Sequence, residues 1–81
     1  LICGTGIGMS IVANKFKGIR CGHCHDVFSA KMTRLHNDAN MVAMGAGMIG
    51  DNLAYDIVET FNGTEFSGEE RHHRRIDLIE E

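Results

Sequence analysis

Eighty-one residues with 43% hydrophobic and 23% charged side chains describe one small domain of ordinary globular composition. A net charge of -3 is the wrong sign for a nucleic-acid surface, and no apolar run approaches the roughly 18 residues that span a bilayer. The start of the chain carries no charged segment of the signal-peptide kind, and three cysteines with ten glycines and no proline are unlike a disulfide-stapled secreted scaffold, so a reduced, cytoplasmic setting is expected.

Leu1 to Cys3 is short and apolar and runs straight into Gly4-Thr5-Gly6-Ile7-Gly8, which predicts a strand entering a glycine turn. From Met9 to Lys17 the residues Met9, Ile11, Val12 and Phe16 follow roughly helical spacing, with Gly18 as the expected C-cap. Ile19 to Cys24 is too short for a helix and reads as a second strand. Asp26 suits the N-cap of a helix whose face carries Val27, Ala30, Met32 and Leu35, and Asn37-Asp38-Ala39-Asn40 breaks that helix.

Met41 to Met44 is a third strand, closed by Gly45 and Gly47. Asp51 to Phe61 is a helix with Leu53, Ile57 and Phe61 at i, i+4 and i+8, ended by Asn62-Gly63. After a polar loop, Glu69 to Glu81 forms a charged helix with Ile76 and Ile79 apolar. This order predicts an α/β fold with a parallel sheet, one domain over residues 1–81. Three strands make a poor sheet alone, so the expectation is the C-terminal part of a larger α/β domain.

The chemistry gathers where the first strand meets its helix. Unpaired backbone N–H groups and the positive end of the helix dipole lie there, and ligands of open α/β sheets bind at this edge. The spacing is neither a dinucleotide fingerprint nor a P-loop, and a bare strand-to-helix turn is the plain alternative. Cys3 sharpens the case: a thiol beside a helix N-terminus is drawn towards thiolate and can act as a base or nucleophile, whereas an isolated strand cysteine merely packs.

Cys3-Gly4-Thr5-Gly6-Ile7-Gly8-Met9-Ser10-Ile11 with Ala13-Asn14-Lys15 is similar to the signature of the ribose-5-phosphate isomerase B family. Arg34-Leu35-His36-Asn37-Asp38-Ala39-Asn40 resembles its second motif, and Arg71-His72 with Arg75 its C-terminal one, in the same order along the chain. The resemblance implies a Rossmann-like three-layer sandwich and a sugar-phosphate isomerase that uses neither metal nor other cofactor. Cys3 is then the base that moves a proton between C2 and C1 through an enediolate, with the backbone of Gly4, Thr5, Gly6, Ile7 and Gly8 as anion hole and the Thr5 hydroxyl assisting. His36 matches the ring-opening histidine, Asn37 a sugar-binding neighbour, and Arg71 and Arg75 the phosphate-binding arginines. It also implies a homodimer or homotetramer in which the His36 and Cys3 regions meet across a subunit interface. Ribose 5-phosphate is the default substrate; allose 6-phosphate and galactose 6-phosphate are used by relatives.

The chain departs from that pattern at Gly47, where the family usually has arginine, and at Glu69-Glu70, where glycine is common in a loop one residue shorter. Arg71, Arg74 and Arg75 with Glu69 and Glu70 also suit a solvated helix face, and His36 a helix C-terminus. Other readings are a phosphate-binding module without turnover and a zinc site at Cys21, His23 and His25, which share one face of a strand. Nucleic-acid binding by residues 71–75 is disfavoured by the flanking acids.

Overall fold

The computed structural model describes residues 1–81. Its elements are β1 (Ile2–Cys3), α1 (Ile7–Ala13), β2 (Cys21–His23), α2 (Val27–Asn37), β3 (Met41–Gly45), α3 (Asp51–Gly63) and α4 (Glu70–Glu80). The strands are parallel in the order β1-β3-β2, with Cys3 beside Gly45 and His23 beside Ala43. The chain moves outward from β1 to β2 through α1, then back to the centre through α2. Since parallel crossovers are right-handed, this reversal puts α1 on one face and α2 on the other. α3 packs beside α2, completing three layers. No helix is long and apolar enough to cross a membrane.

Local chemistry sets the ends of α2. The Asp26 carboxylate accepts the Ser29 N–H at 2.6 Å and the Ser29 hydroxyl accepts the Asp26 N–H at 3.4 Å, a reciprocal capping box. The Ser29 hydroxyl, and after it the Ser29 N–H, hold the Asp26 carboxyl below its ordinary pKa. At the other end Asp38 turns left-handed (φ 45°), and Arg34 grips both its carboxylate and the Ala39 carbonyl. The core lies between the sheet and the α2/α3 layer, where Cys24, Ala30, Met44 and Ile57 are buried against Val42, Ile49, Leu53 and Ala54. Complete burial of Ile57 stabilises the fold by about 1.5–3 kcal/mol.

The expected first helix is shorter than its apolar spacing suggests. It ends at Ala13, not Lys17, because the Asn14 amide donates to both Ser10 and Cys21 carbonyls and its oxygen accepts the Cys21 N–H. Gly18 does adopt a left-handed conformation (φ 83°), but at the end of the following turn instead of as the helix cap. Along α4, Ile76 is buried while Ile79 is exposed. Arg20, just before β2, holds that helix through Glu80 at 2.8 Å.

Candidate functional site

The glycine loop lies directly on the end of β3. Gly45 makes this possible, since a Cβ there would stand 2.5 Å from the Thr5 carbonyl carbon. The Ala46 and Gly47 N–H groups donate to the Cys3 and Gly4 carbonyls at 2.8 and 2.9 Å. Gly6 takes a positive φ of 80°, and a Cβ on it would meet the Met44 carbonyl carbon at 2.8 Å and the His23 ring at 2.9 Å. No other residue type fits that position.

This turn aims amides back at Cys3. Its half-buried Sγ accepts the Gly6 N–H at 3.1 Å, and the Thr5 hydroxyl accepts the Ile7 N–H at 3.2 Å. The Cys3 thiol is held below its ordinary pKa chiefly by the Met9 backbone N–H; partial burial opposes this, and the Gly6, Thr5 and Gly8 amides add to it. Preorganised dipoles at the start of α1 thus favour the thiolate, as the position of the cysteine predicts. Cys21 and Cys24 behave oppositely, because burial pushes both thiols up.

The remaining candidates, His36, Asn37, Arg71 and Arg75, lie on α2 and α4. The His36 ring lies 4.3 Å from that of His72, at 35° between planes. His72 is buried, its Nδ1 sits 2.8 Å from the Ser67 hydroxyl, and burial followed by the neighbouring His36 holds its pKa down. Asn37 is exposed, and its carbonyl accepts Arg20 Nε at 3.0 Å. Arg71 and Arg75 share one side of α4, as their i, i+4 spacing predicts, and line a shallow depression of about 400 Å³ with Arg74, Leu78 and the acids Asp77 and Glu81. Glu69 engages Arg71 Nε at 3.0 Å, while both terminal nitrogens of Arg71 and the whole Arg75 guanidinium make no hydrogen bond or ion pair.

The loop and these four residues occupy opposite edges of the sheet. Cys3 and the loop lie at the C-terminal ends of the strands. α2 starts at that edge and runs back for eleven residues, about 16 Å, so His36 and Asn37 emerge at the N-terminal edge beside Arg20. α4 sits there too, with His72 against His36 and Glu80 against Arg20. Within one copy of the chain, Cys3, Thr5 and Gly4 to Gly8 come together, whereas His36 lies by His72, Asn37 by Arg20, and Arg71 and Arg75 line a depression that neither His36 nor Asn37 borders; none of these four meets the loop.

The zinc alternative finds no geometry. No three His, Cys, Asp or Glu side chains are grouped to hold a metal ion. Of the proposed set, His23 instead places Nε2 2.8 Å from the Thr5 carbonyl, and His25 meets it edge-on at 5.5 Å. The sequence marked His23 only through strand alternation, which shows the face it occupies and not the loop it touches. Arg20 and the Ser67–His72 contact were likewise invisible without the tertiary structure.

Comparison with known proteins finds the match over nearly the whole chain, as the resemblance does. Residues 1–79 match the family model described as Ribose/Galactose Isomerase. Ribose-5-P isomerase B of Listeria innocua is 49% identical over 81 residues, all of this chain and 54% of that protein. D-erythrulose-4-phosphate isomerase of Pectobacterium atrosepticum is 52% identical over 68 residues, 84% of this chain and 45% of that protein. The structure of Trypanosoma brucei type B ribose 5-phosphate isomerase superposes with a TM-score of 0.98 at 49% identity, over 99% of this chain and 54% of that one. The chain therefore spans about half the length of the curated relatives it matches.

Proposed function

The chain belongs to the ribose/galactose isomerase family, and on that basis we propose that it supplies the base and phosphate-binding parts of a cofactor-free ribose-5-phosphate isomerase. The observation that carries this reading is the Cys3 thiol, half-buried, accepting the Gly6 amide at 3.1 Å and held towards thiolate by the start of α1. In the open-chain aldose, the Cys3 thiolate removes the C2 proton. The released electron pair forms the C1–C2 double bond of an enediolate, and negative charge develops on O1. Backbone N–H groups between Gly4 and Gly8 face that charge, which is where preorganised donors lower a barrier. The C2 hydroxyl proton passes to O1 with help from the Thr5 hydroxyl, and the Cys3 thiol returns its proton to C1, giving the ketose.

His36 opens the furanose ring, Asn37 binds a sugar hydroxyl, and Arg71 and Arg75 hold the phosphate through their unengaged guanidinium nitrogens. Because these four lie at the opposite edge from Cys3, a second copy contributes them. The working unit is a homodimer, or a tetramer built from such dimers, with each site shared between two copies. The 81 residues match about half the length of these relatives, so they work as part of a larger cytoplasmic α/β domain.

The test is conversion of ribose 5-phosphate to ribulose 5-phosphate by the full-length protein in EDTA, with erythrulose 4-phosphate, allose 6-phosphate and galactose 6-phosphate assayed alongside. Turnover lost in Cys3→Ala, with the fold retained by circular dichroism, supports the thiol base. Turnover that survives Cys3→Ala moves the base elsewhere. Failure with every sugar phosphate leaves a phosphate-binding module.

A further inference from the structure

The mechanism above leaves one close contact at the loop unused. His23, the last residue of β2, points its ring across the sheet edge at the Thr5–Gly6 peptide. Its Nε2 lies 2.8 Å from the Thr5 carbonyl oxygen, and the ring sits so close to the Gly6 Cα that a Cβ there would stand 2.9 Å from both Cδ2 and Nε2. A carbonyl oxygen only accepts, so His23 must donate from Nε2, which fixes the neutral ring as the Nε2–H tautomer.

The acceptor and the thiol's donor belong to one peptide unit. The Thr5 carbonyl and the Gly6 N–H lie in a single plane and point in opposite directions, so anchoring the oxygen aims the hydrogen. That hydrogen is the one Cys3 Sγ accepts at 3.1 Å. Gly45 supports the same peptide from below, leaving His23 as its lateral anchor. Hydrogen bonds in series also polarise one another, so donation into the carbonyl strengthens donation out of the amide.

We propose that His23 is a positioning residue for Cys3, clamping the Thr5–Gly6 peptide so that the Gly6 N–H stays trained on the sulfur. The proposal rests on the reading of Cys3 as a functional thiol, yet its test does not require turnover. Iodoacetamide alkylation of Cys3, resolved from Cys21 and Cys24 by peptide mass spectrometry, is followed against pH in the full-length protein. Wild type is compared with His23→Leu, which removes the donor, and His23→Gln, which offers an amide N–H in its place.

At neutral pH, His23→Leu is expected to alkylate about threefold to tenfold more slowly, the scale of one net hydrogen bond. Its profile moves to higher pH and rejoins wild type where the thiol is fully ionised, while His23→Gln recovers most of the loss. In turnover, kcat falls and KM for the sugar phosphate does not rise. Superimposable alkylation profiles for folded wild type and His23→Leu would overturn the clamp. Should His23→Leu fail to fold, imidazole ¹⁵N shifts of wild type decide: protonation at Nε2 in the neutral ring sustains the proposal, and protonation at Nδ1 overturns it. A shifted profile in a protein without isomerase activity would keep the clamp and remove the isomerase reading.

Discussion

Three glycine-to-alanine substitutions separate backbone strain from close packing around the thiol. Gly18 has a φ of 83° and open space where a Cβ would sit, so Gly18→Ala introduces strain alone, about 1–2 kcal/mol. Gly6 has nearly the same φ, but its added Cβ would stand 2.8 Å from the Met44 carbonyl carbon, a backbone atom that cannot rotate away, and 2.9 Å from the His23 ring. Overpacking of that kind costs a further 1–3 kcal/mol or so, giving about 2–5 kcal/mol for Gly6→Ala. Gly8 lies within α1, with neither a positive φ nor any atom within 4 Å, so Gly8→Ala stabilises by up to about 1 kcal/mol. Urea unfolding of the full-length protein, followed by circular dichroism, orders the variants. Gly8→Ala should lie above wild type, Gly18→Ala below it and Gly6→Ala lowest. A Gly6→Ala protein no less stable than Gly18→Ala would refute the tight seating of the loop between β3 and His23, and with it the account of how the amides reach Cys3.

Further outcomes follow from the opposite edge. His72 is buried with a lowered pKa, so below about pH 6.5 the unfolded chain binds a proton that the folded chain resists. Stability should fall on acidification from pH 7 to 5, and fall less in His72→Gln; equal pH slopes in denaturant titrations would remove His72 as a cause. Arg20 joins Asn37, Asp38 and Glu80 at 3.0, 2.9 and 2.8 Å, so Arg20→Ala should cost about 1–3 kcal/mol and speed amide hydrogen exchange at the end of α4. Unchanged exchange there would mean that α4 is held by His72 and Ile76 alone.

Much of the architecture was legible in the sequence because local chemistry dictates it. Asp26 and Ser29 make their cap without help, the period of Leu53 and Ile57 marks a buried face, and strand-helix alternation implies parallel pairing. The limits of α1 were not legible. Its apolar residues continue past Ala13, but Asn14 bonds to Cys21, a partner seven residues away that only the folded turn brings near. Within the candidate site, the Cys3 loop could be read from glycine spacing because its geometry is local. The role of His23 could not, since it depends on β2 lying on the far side of β3 from β1. The separation of Cys3 and His36 was implied by the family resemblance but could not be read from the residues themselves: strand order and helix direction, which put them at opposite edges, are properties of the sheet and not of any one segment.

That separation makes the shared site the claim most directly open to test. Full-length Cys3→Ala and His36→Asn proteins are each assayed for isomerisation of ribose 5-phosphate, then unfolded together, refolded as a mixture and assayed again. Each variant alone should be nearly inactive. In the mixture, about half of the dimers are mixed, and in each of those one of the two sites draws Cys3 and His36 from undamaged copies, so about a quarter of wild-type activity should return. Two inactive variants that stay inactive after verified mixing would contradict the account, because they would place Cys3 and His36 of one site on the same copy of the chain.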